Sequence, residues 1–325
     1  MVRAIRHSGR WAAISVLTMA LAGGALGAGK AGQGHDYRTF HADGNIVYGK
    51  ISDSYNADLV MYLAGNQFMV MEDLMRDFQK KHPDIKTVYV ETIPPGQILK
   101  GQLLKQGVIE GQKTARNPDL FASVNLGHLK KLKGKGMMND YIIYTHNKLE
   151  LMVAKGNPKK VQGPKDLTRD DLVKSLPNPL TEGIFKFYGS QMLKDLGIHE
   201  KVTGGAECRH CWAVPGKTWF TARHHRETPY RIEHNQADVG IVWATEVTYN
   251  ASIGRPIEGV AIPAPYNMQH KVGYAIGSLN SGRNPDNARR FLAYLASDAA
   301  QGIYARHGFL KANAEELTLR PIPGM

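Results

Sequence analysis

The chain has 325 residues, enough for about two domains, with 42% hydrophobic and 22% charged residues, 34 Gly and 16 Pro. That balance excludes a disordered, collagen-like or coiled-coil chain, and two cysteines exclude a disulfide-dense miniprotein. The 41 Lys+Arg against 29 Asp+Glu leave a net charge of +12, which fits nucleic acid, an anionic surface or an anionic solute equally well.

The N-terminus narrows that choice. Residues 2–10 carry Arg3, Arg6, His7 and Arg10 and no acid, and residues 11–21 form an apolar run of signal-peptide length. Small residues at Ala20, Ala22, Ala25 and Gly27 suit cleavage near Ala28. Residues 1–28 are therefore expected to be a signal peptide, and the mature protein to be periplasmic. The alternative, a membrane anchor, is disfavoured because the run is short and no charged stop-transfer flank follows. No adjacent arginine pair indicates twin-arginine export. Outside the cytoplasm, nucleic acid is not an expected partner. The basic residues are also scattered, and Lys130, Lys131, Lys133 and Lys135 read as a solvated helix end.

Residues 29–57 are expected as an N-terminal extension that precedes lobe one, polar and Gly-containing over 32–57, with its order left open. The regular pattern starts at Asp58. An apolar run over 59–63 predicts a buried strand, after which Phe68, Met71, Leu74, Met75 and Phe78 repeat at helical spacing until Pro83. A β-branched strand follows over 85–90, then the turn Pro94-Pro95-Gly96, a helix over 98–108 and a buried strand over 120–124. The middle of the chain repeats this grammar with a strand over 149–154, helices over 167–176 and 184–196, and a strand over 239–243. A closing helix starts at Asn284-Pro285, presents Phe291, Leu292, Leu295 and Ile303, and ends at Gly308. Helices alternating with strands that are apolar on both faces predict an α/β protein with parallel or mixed sheets.

Three blocks carry a resemblance. Phe291-Leu292-Ala293-Tyr294-Leu295-Ala296-Ser297, followed by Gln301-Gly302-Ile303 and His307-Gly308-Phe309, resembles the closing helix of exported solute-binding proteins of ABC importers. Thr145-His146-Asn147-Lys148-Leu149 through Gly156-Asn157-Pro158 resembles the segment that crosses between lobes in molybdate- and tungstate-binding proteins. Gln236-Ala237-Asp238-Val239-Gly240-Ile241-Val242-Trp243-Ala244-Thr245 is similar to their second-lobe strand and the turn after it. The resemblance implies a two-lobed type II periplasmic-binding-protein fold with a hinge of two crossings and a ligand cleft between the lobes. Lobe one would be 58–144 plus 270–325 and lobe two 145–269, with Gly273-Tyr274-Ala275-Ile276-Gly277 lining the return crossing. It further implies a monomer without a cofactor that delivers a small ligand, a tetrahedral oxyanion of the molybdate or tungstate type, to an ABC permease. A ligand sensor for a membrane kinase is the other role this fold serves.

The physics of open α/β sheets places such a ligand outside the carboxyl ends of strands, where helix starts offer N–H groups. Asn66 and Gln67, Gly96 and Gln97, Ser123 and Asn125, Thr181 and Gly183, and Thr245 all fall at such positions. Neutral donors there suit a desolvated oxyanion, since they bring partial positive charge without a countercharge. Two features depart from the family pattern. Pro94-Pro95 removes two backbone donors, and the Glu182 carboxylate opposes a dianion unless it turns away or meets a cation.

Cys208-Arg209-His210-Cys211 is the most distinctive local sequence, and Trp212 excludes haem attachment there. In an oxidising compartment a Cys208–Cys211 disulfide is expected. The alternatives are a soft-metal site of Cys208, Cys211 and His224 or His225, or a redox dithiol. His224-His225-Arg226-Glu227 suits either an oxyanion or a solvated loop with local ion pairs. No Ser/His/Asp constellation, paired acid–base carboxylates or phosphate loop appears, so no enzymatic activity is expected.

Overall fold

The computed structural model describes residues 36–324 apart from 106, 110, 116 and 223–225. The expected signal peptide, His224 and His225 lie outside the described residues. The strands up to the first crossing are β1 (Tyr37–His41), β2 (Ile46–Tyr48), β3 (Leu59–Leu63), β4 (Thr87–Thr92), the small hairpin β5 (Val108–Ile109) and β6 (Gln112–Lys113), β7 (Leu120–Ser123) and β8 (Asp140–His146). There follow β9 (Leu149–Ala154), β10 (Lys174–Leu176), β11 (Trp212–Val214), β12 (Thr218–Phe220), β13 (Val239–Trp243) and β14 (Ile257–Ala261). The chain closes with β15 (Gly273–Ser278), β16 (Leu310–Lys311) and β17 (Arg320–Pro321).

Two mixed sheets organise the described residues. The first runs β16-β8-β15-β7-β3-β4-β1-β2, with β17 on β8, and its parallel core is β3 between β4 and β7. The second runs β11-β12-β10-β13-β9-β14, with β10 parallel to both β12 and β13. Burial explains the continuous apolar runs: β3, β7 and β13 are buried along their whole length. The helix Met71–Lys81 turns Met71, Leu74, Met75 and Phe78 inward, and the Phe78 ring meets Phe291 edge-on at 5.0 Å.

Among the described residues the chain passes between the two sheets twice. Asn147 and Lys148 pass directly from β8 into β9, and residues 262–272 return from β14 to β15. The two crossings are themselves bonded, Leu149 N donating to Asn267 O at 2.8 Å. This is a hinge.

Several expectations require correction. Residues 36–48 are not outside the lobe: β1 pairs along five residues with β4 and carries β2 on its other edge. Polar composition hid this strand, because Arg38 and Thr39 are buried, Arg38 Nη2 donating to Phe68 O (2.8 Å) and Thr39 Oγ1 to Asp53 Oδ2 (2.9 Å). The helix expected over 167–176 is a 3₁₀ turn, Pro164–Thr168, followed by β10, where pairing with two parallel neighbours overrides the leucine spacing. The helix expected over 98–108 ends as a π-helical turn at Leu103, and Gly107, at φ +67°, turns the chain into β5. The closing helix is two, Pro285–Leu295 and Asp298–Arg306, split where Ser297 Oγ accepts from Ala300 N and caps the second. Asn284 spends its side chain elsewhere, on Asp119 Oδ2 and Ala57 O.

Candidate functional site

The parallel strands β3, β4 and β7 all point their carboxyl ends at one cavity of about 40 Å³ between the sheets. Ala64, Gly65 and Asn66 follow β3, Pro94 and Pro95 follow β4, and Val124 follows β7. The second sheet's side supplies Glu182, Gly183 and Ile184 at a helix start, Trp243 at the end of β13, and Arg226. The volume is that of a few water-sized groups. On each side the wall leads into a π-helical turn, Ile98–Leu103 or Ile184–Gly189, a distortion frequent at functional sites.

Beneath the cavity a buried polar chain spans the hinge. Asn66 Nδ2 donates to the Tyr274 hydroxyl at 2.6 Å, and Asn147 Nδ2 donates to the same oxygen at 3.3 Å and to Thr245 Oγ1 at 3.0 Å. Burial pushes the Tyr274 phenol far above its ordinary range, so it stays an un-ionised hydroxyl. Asn66 and Thr245, expected from sequence as ligand groups on opposite lobes, are thus linked through the two crossings. A second tie across the cleft runs from the Tyr188 hydroxyl to Val124 O at 2.6 Å.

The other expected groups divide. Gly183 lines the cavity, whereas Gly96 and Gln97 do not, and the prolines before them form that wall. Ser123 Oγ is paired with His128 Nδ1 at 2.9 Å within its own lobe. Asn125 Oδ1 caps the helix Leu126–Lys133 by accepting from Gly127 N, and Gln67 Oε1 accepts from the Tyr304 hydroxyl at 3.0 Å. Yet Gln67 Nε2, Asn125 Nδ2 and Thr181 Oγ1 are buried without a hydrogen-bond partner among the described residues. Each adjoins a cavity-lining residue in the chain. Buried donors are rarely left unpaired without reason. Glu182 lines the cavity but is anchored to its own lobe, Oε1 accepting from Asn178 N at 2.8 Å and from the Thr221 hydroxyl.

Sequence reasoning did not single out Asn147 or the Tyr274 hydroxyl, and saw Arg226 only as part of a His/Arg cluster. Arg226 Nη2 donates to Asp36 Oδ1 at 2.7 Å and to Thr92 O at 3.0 Å, and the guanidinium lies 4.7 Å over the Phe68 ring.

Cys208 and Cys211 are bridged, with Cα atoms 6.1 Å apart. The bridge corrects the soft-metal alternative, because sulfurs in a disulfide offer no thiolate. Among the described residues no group of three His, Cys, Asp or Glu side chains gathers to hold a metal ion.

The family model of the bacterial extracellular solute-binding proteins matches residues 59–310, which include every cavity-lining residue. The chain belongs to that family. This solute-binding protein is 23% identical over 242 residues to YvgL of Bacillus subtilis (strain 168), named as a proposed ABC transporter substrate-binding lipoprotein, covering 74% of the chain and 81% of the relative. Its fold matches the periplasmic molybdate-binding protein of Azotobacter vinelandii with TM-score 0.62 at 19% identity, covering 78% of this chain and all of that one. It also matches the sulfate-binding protein SubI of Mycobacterium tuberculosis with TM-score 0.58 at 16% identity, covering 80% and 88%. The fold is the two-lobed type II periplasmic-binding architecture, with the ligand cleft between the lobes. Among the described residues no helix is long and apolar enough to cross a membrane.

Proposed function

We propose that this solute-binding protein captures a small tetrahedral oxyanion, of the molybdate, tungstate or sulfate type, in the periplasm and hands it to an ABC permease. The observation that carries the reading is the cavity of about 40 Å³ at the carboxyl ends of three parallel strands, and it is supported by neutral donors on Gln67, Asn125 and Thr181, each next in the chain to a lining residue and unpaired among the described residues. Such donors solvate a desolvated anion through N–H and O–H dipoles. Glu182, the group that would oppose a dianion, has one carboxylate oxygen engaged by Asn178 N and Thr221. The ligands named for the two structural neighbours are of the same shape and charge class.

Calorimetry of the mature protein with molybdate, tungstate, sulfate and phosphate, and with zinc and copper as controls, tests the reading. An oxyanion is expected to bind, with compaction in small-angle scattering. Replacing Asn66 or Thr245 with Ala should cost about 1–3 kcal/mol of that binding. Tight binding of a cation with no oxyanion bound would overturn it.

A further inference from the structure

Arg226 is placed where no neutral-donor site needs it. It leads into the second-lobe helix Glu227–Glu233, yet its side chain crosses the cleft to the first lobe. Nη2 alone serves Asp36 Oδ1 and Thr92 O, at the starts and ends of neighbouring strands, and the guanidinium plane covers Phe68. Nη1 and Nε make no hydrogen bond among the described residues, and the side chain lines the cavity. Asp36 is 1% and Arg226 13% exposed, so the pair is held largely out of solvent, where each charge stabilises the other.

Resting on the oxyanion reading above, we propose that Arg226 is the charge-recognising residue of the cleft, and that its bonds to Asp36 and Thr92 make anion binding and lobe closure one step. A guanidinium presents its donors as a rigid fork that matches an oxyanion edge. Here one nitrogen is spent on fixing the fork across the cleft, and the remaining donors are left for the ligand. Opening the lobes pulls Arg226 away from Asp36 and Thr92, so the fork is correctly aimed only when the cleft is shut. The anion then stabilises the closed arrangement by sharing the cation with Asp36.

Calorimetry with molybdate, tungstate, sulfate and phosphate on wild type, R226Q, R226K and D36N, together with scattering of the ligand-free proteins, tests both halves. R226Q should weaken whichever oxyanion the wild type binds by tenfold or more and flatten the dependence of affinity on ionic strength, with R226K recovering part of the loss. Ligand-free R226Q and D36N should both be more expanded than wild type. Unchanged affinity and salt dependence in folded R226Q, with wild-type binding intact, would overturn the recognition role while leaving the oxyanion reading in place. Unchanged compaction in both R226Q and D36N would overturn the latch. Should R226Q fail to fold, R226K and D36N give the same two readouts. A wild type that binds none of the four anions sinks the oxyanion reading itself, and with it the recognition role, while the scattering still decides the latch.

Discussion

The Tyr274 hydroxyl does two jobs with one oxygen, accepting from Asn66 on the first lobe and from Asn147 in the crossing. Tyr274→Phe keeps the ring contacts to Trp243 and Phe309 but removes that acceptor. Asn147 retains Thr245 as a partner, while the buried Asn66 Nδ2 loses the one side-chain acceptor it has among the described residues. The expected cost is about 1–3 kcal/mol of folding stability, read by urea denaturation, with the larger share from Asn66. Thr245→Val should cost less, because Asn147 Nδ2 keeps the tyrosine oxygen. This is also where sequence was least informative. Asn66 and Gly183 were legible because each follows an apolar strand or opens a helix, a pattern of neighbours. Tyr274 and Asn147 meet across 127 residues, and Asn66 meets Tyr274 across 208. No local pattern encodes such a meeting.

At the scale of elements, the buried strands were legible because their apolar runs are unbroken, and the errors fell where two elements compete for one pattern. Leu172 and Leu176 stand four apart, a helical spacing, yet Leu176 is on β10, which pairs with β12 and β13. The helix Glu227–Glu233 lies against β13 at Gly240, where a Cβ would come within 2.2 Å of Thr228 Cγ2 and 2.7 Å of Ser175 O. The side chain can rotate, but the backbone oxygen cannot. Gly240→Ala is therefore expected to cost about 1–3 kcal/mol by overpacking, and, because Arg226 opens that helix, to weaken ligand binding as well. Thermal unfolding and calorimetry on one preparation check the pair. The Cys208–Cys211 bridge should behave differently. It closes a loop with a sequence separation of 3, which restricts the unfolded chain little, so reduction should lower stability by no more than the low end of ~2–4 kcal/mol. Unfolding with and without reductant measures it, and a larger loss would show that the bridge holds the packing of Trp212 on Trp219 as well as the loop.

For the molecule as a whole, the surplus of +12 gathers consequence at the cleft rim. His128 belongs to the first lobe, and burial together with Lys131, Lys100 and Lys186 holds its pKa down at about 4. Lys186 comes from the second lobe, on the turn whose Phe187 ring stands 6.3 Å from the His128 ring. A histidine whose folded pKa lies below its unfolded value of 6.5 takes up protons more readily when unfolded. Its contribution to stability is complete above pH 6.5 and is lost as pH falls from there towards 4, by up to about 3 kcal/mol for a shift of this size. The lowered carboxylates act in a different window. Asp77, Asp84, Asp171 and Glu316 contribute stability present above the ordinary carboxylate values of 3.8 to 4.5, and lose it as pH falls below them. Destabilisation that begins near pH 6.5 is therefore the histidine signature, with His82 and His199, also lowered by burial, adding in the same direction. The melting temperature of wild type should fall between pH 6.5 and 4.5, and His128→Gln should remove much of that fall while leaving the drop below pH 4 in place. An identical acid profile in the variant would mean that the lysines around His128 relax away when it is protonated, and that the lobes part at this rim without cost.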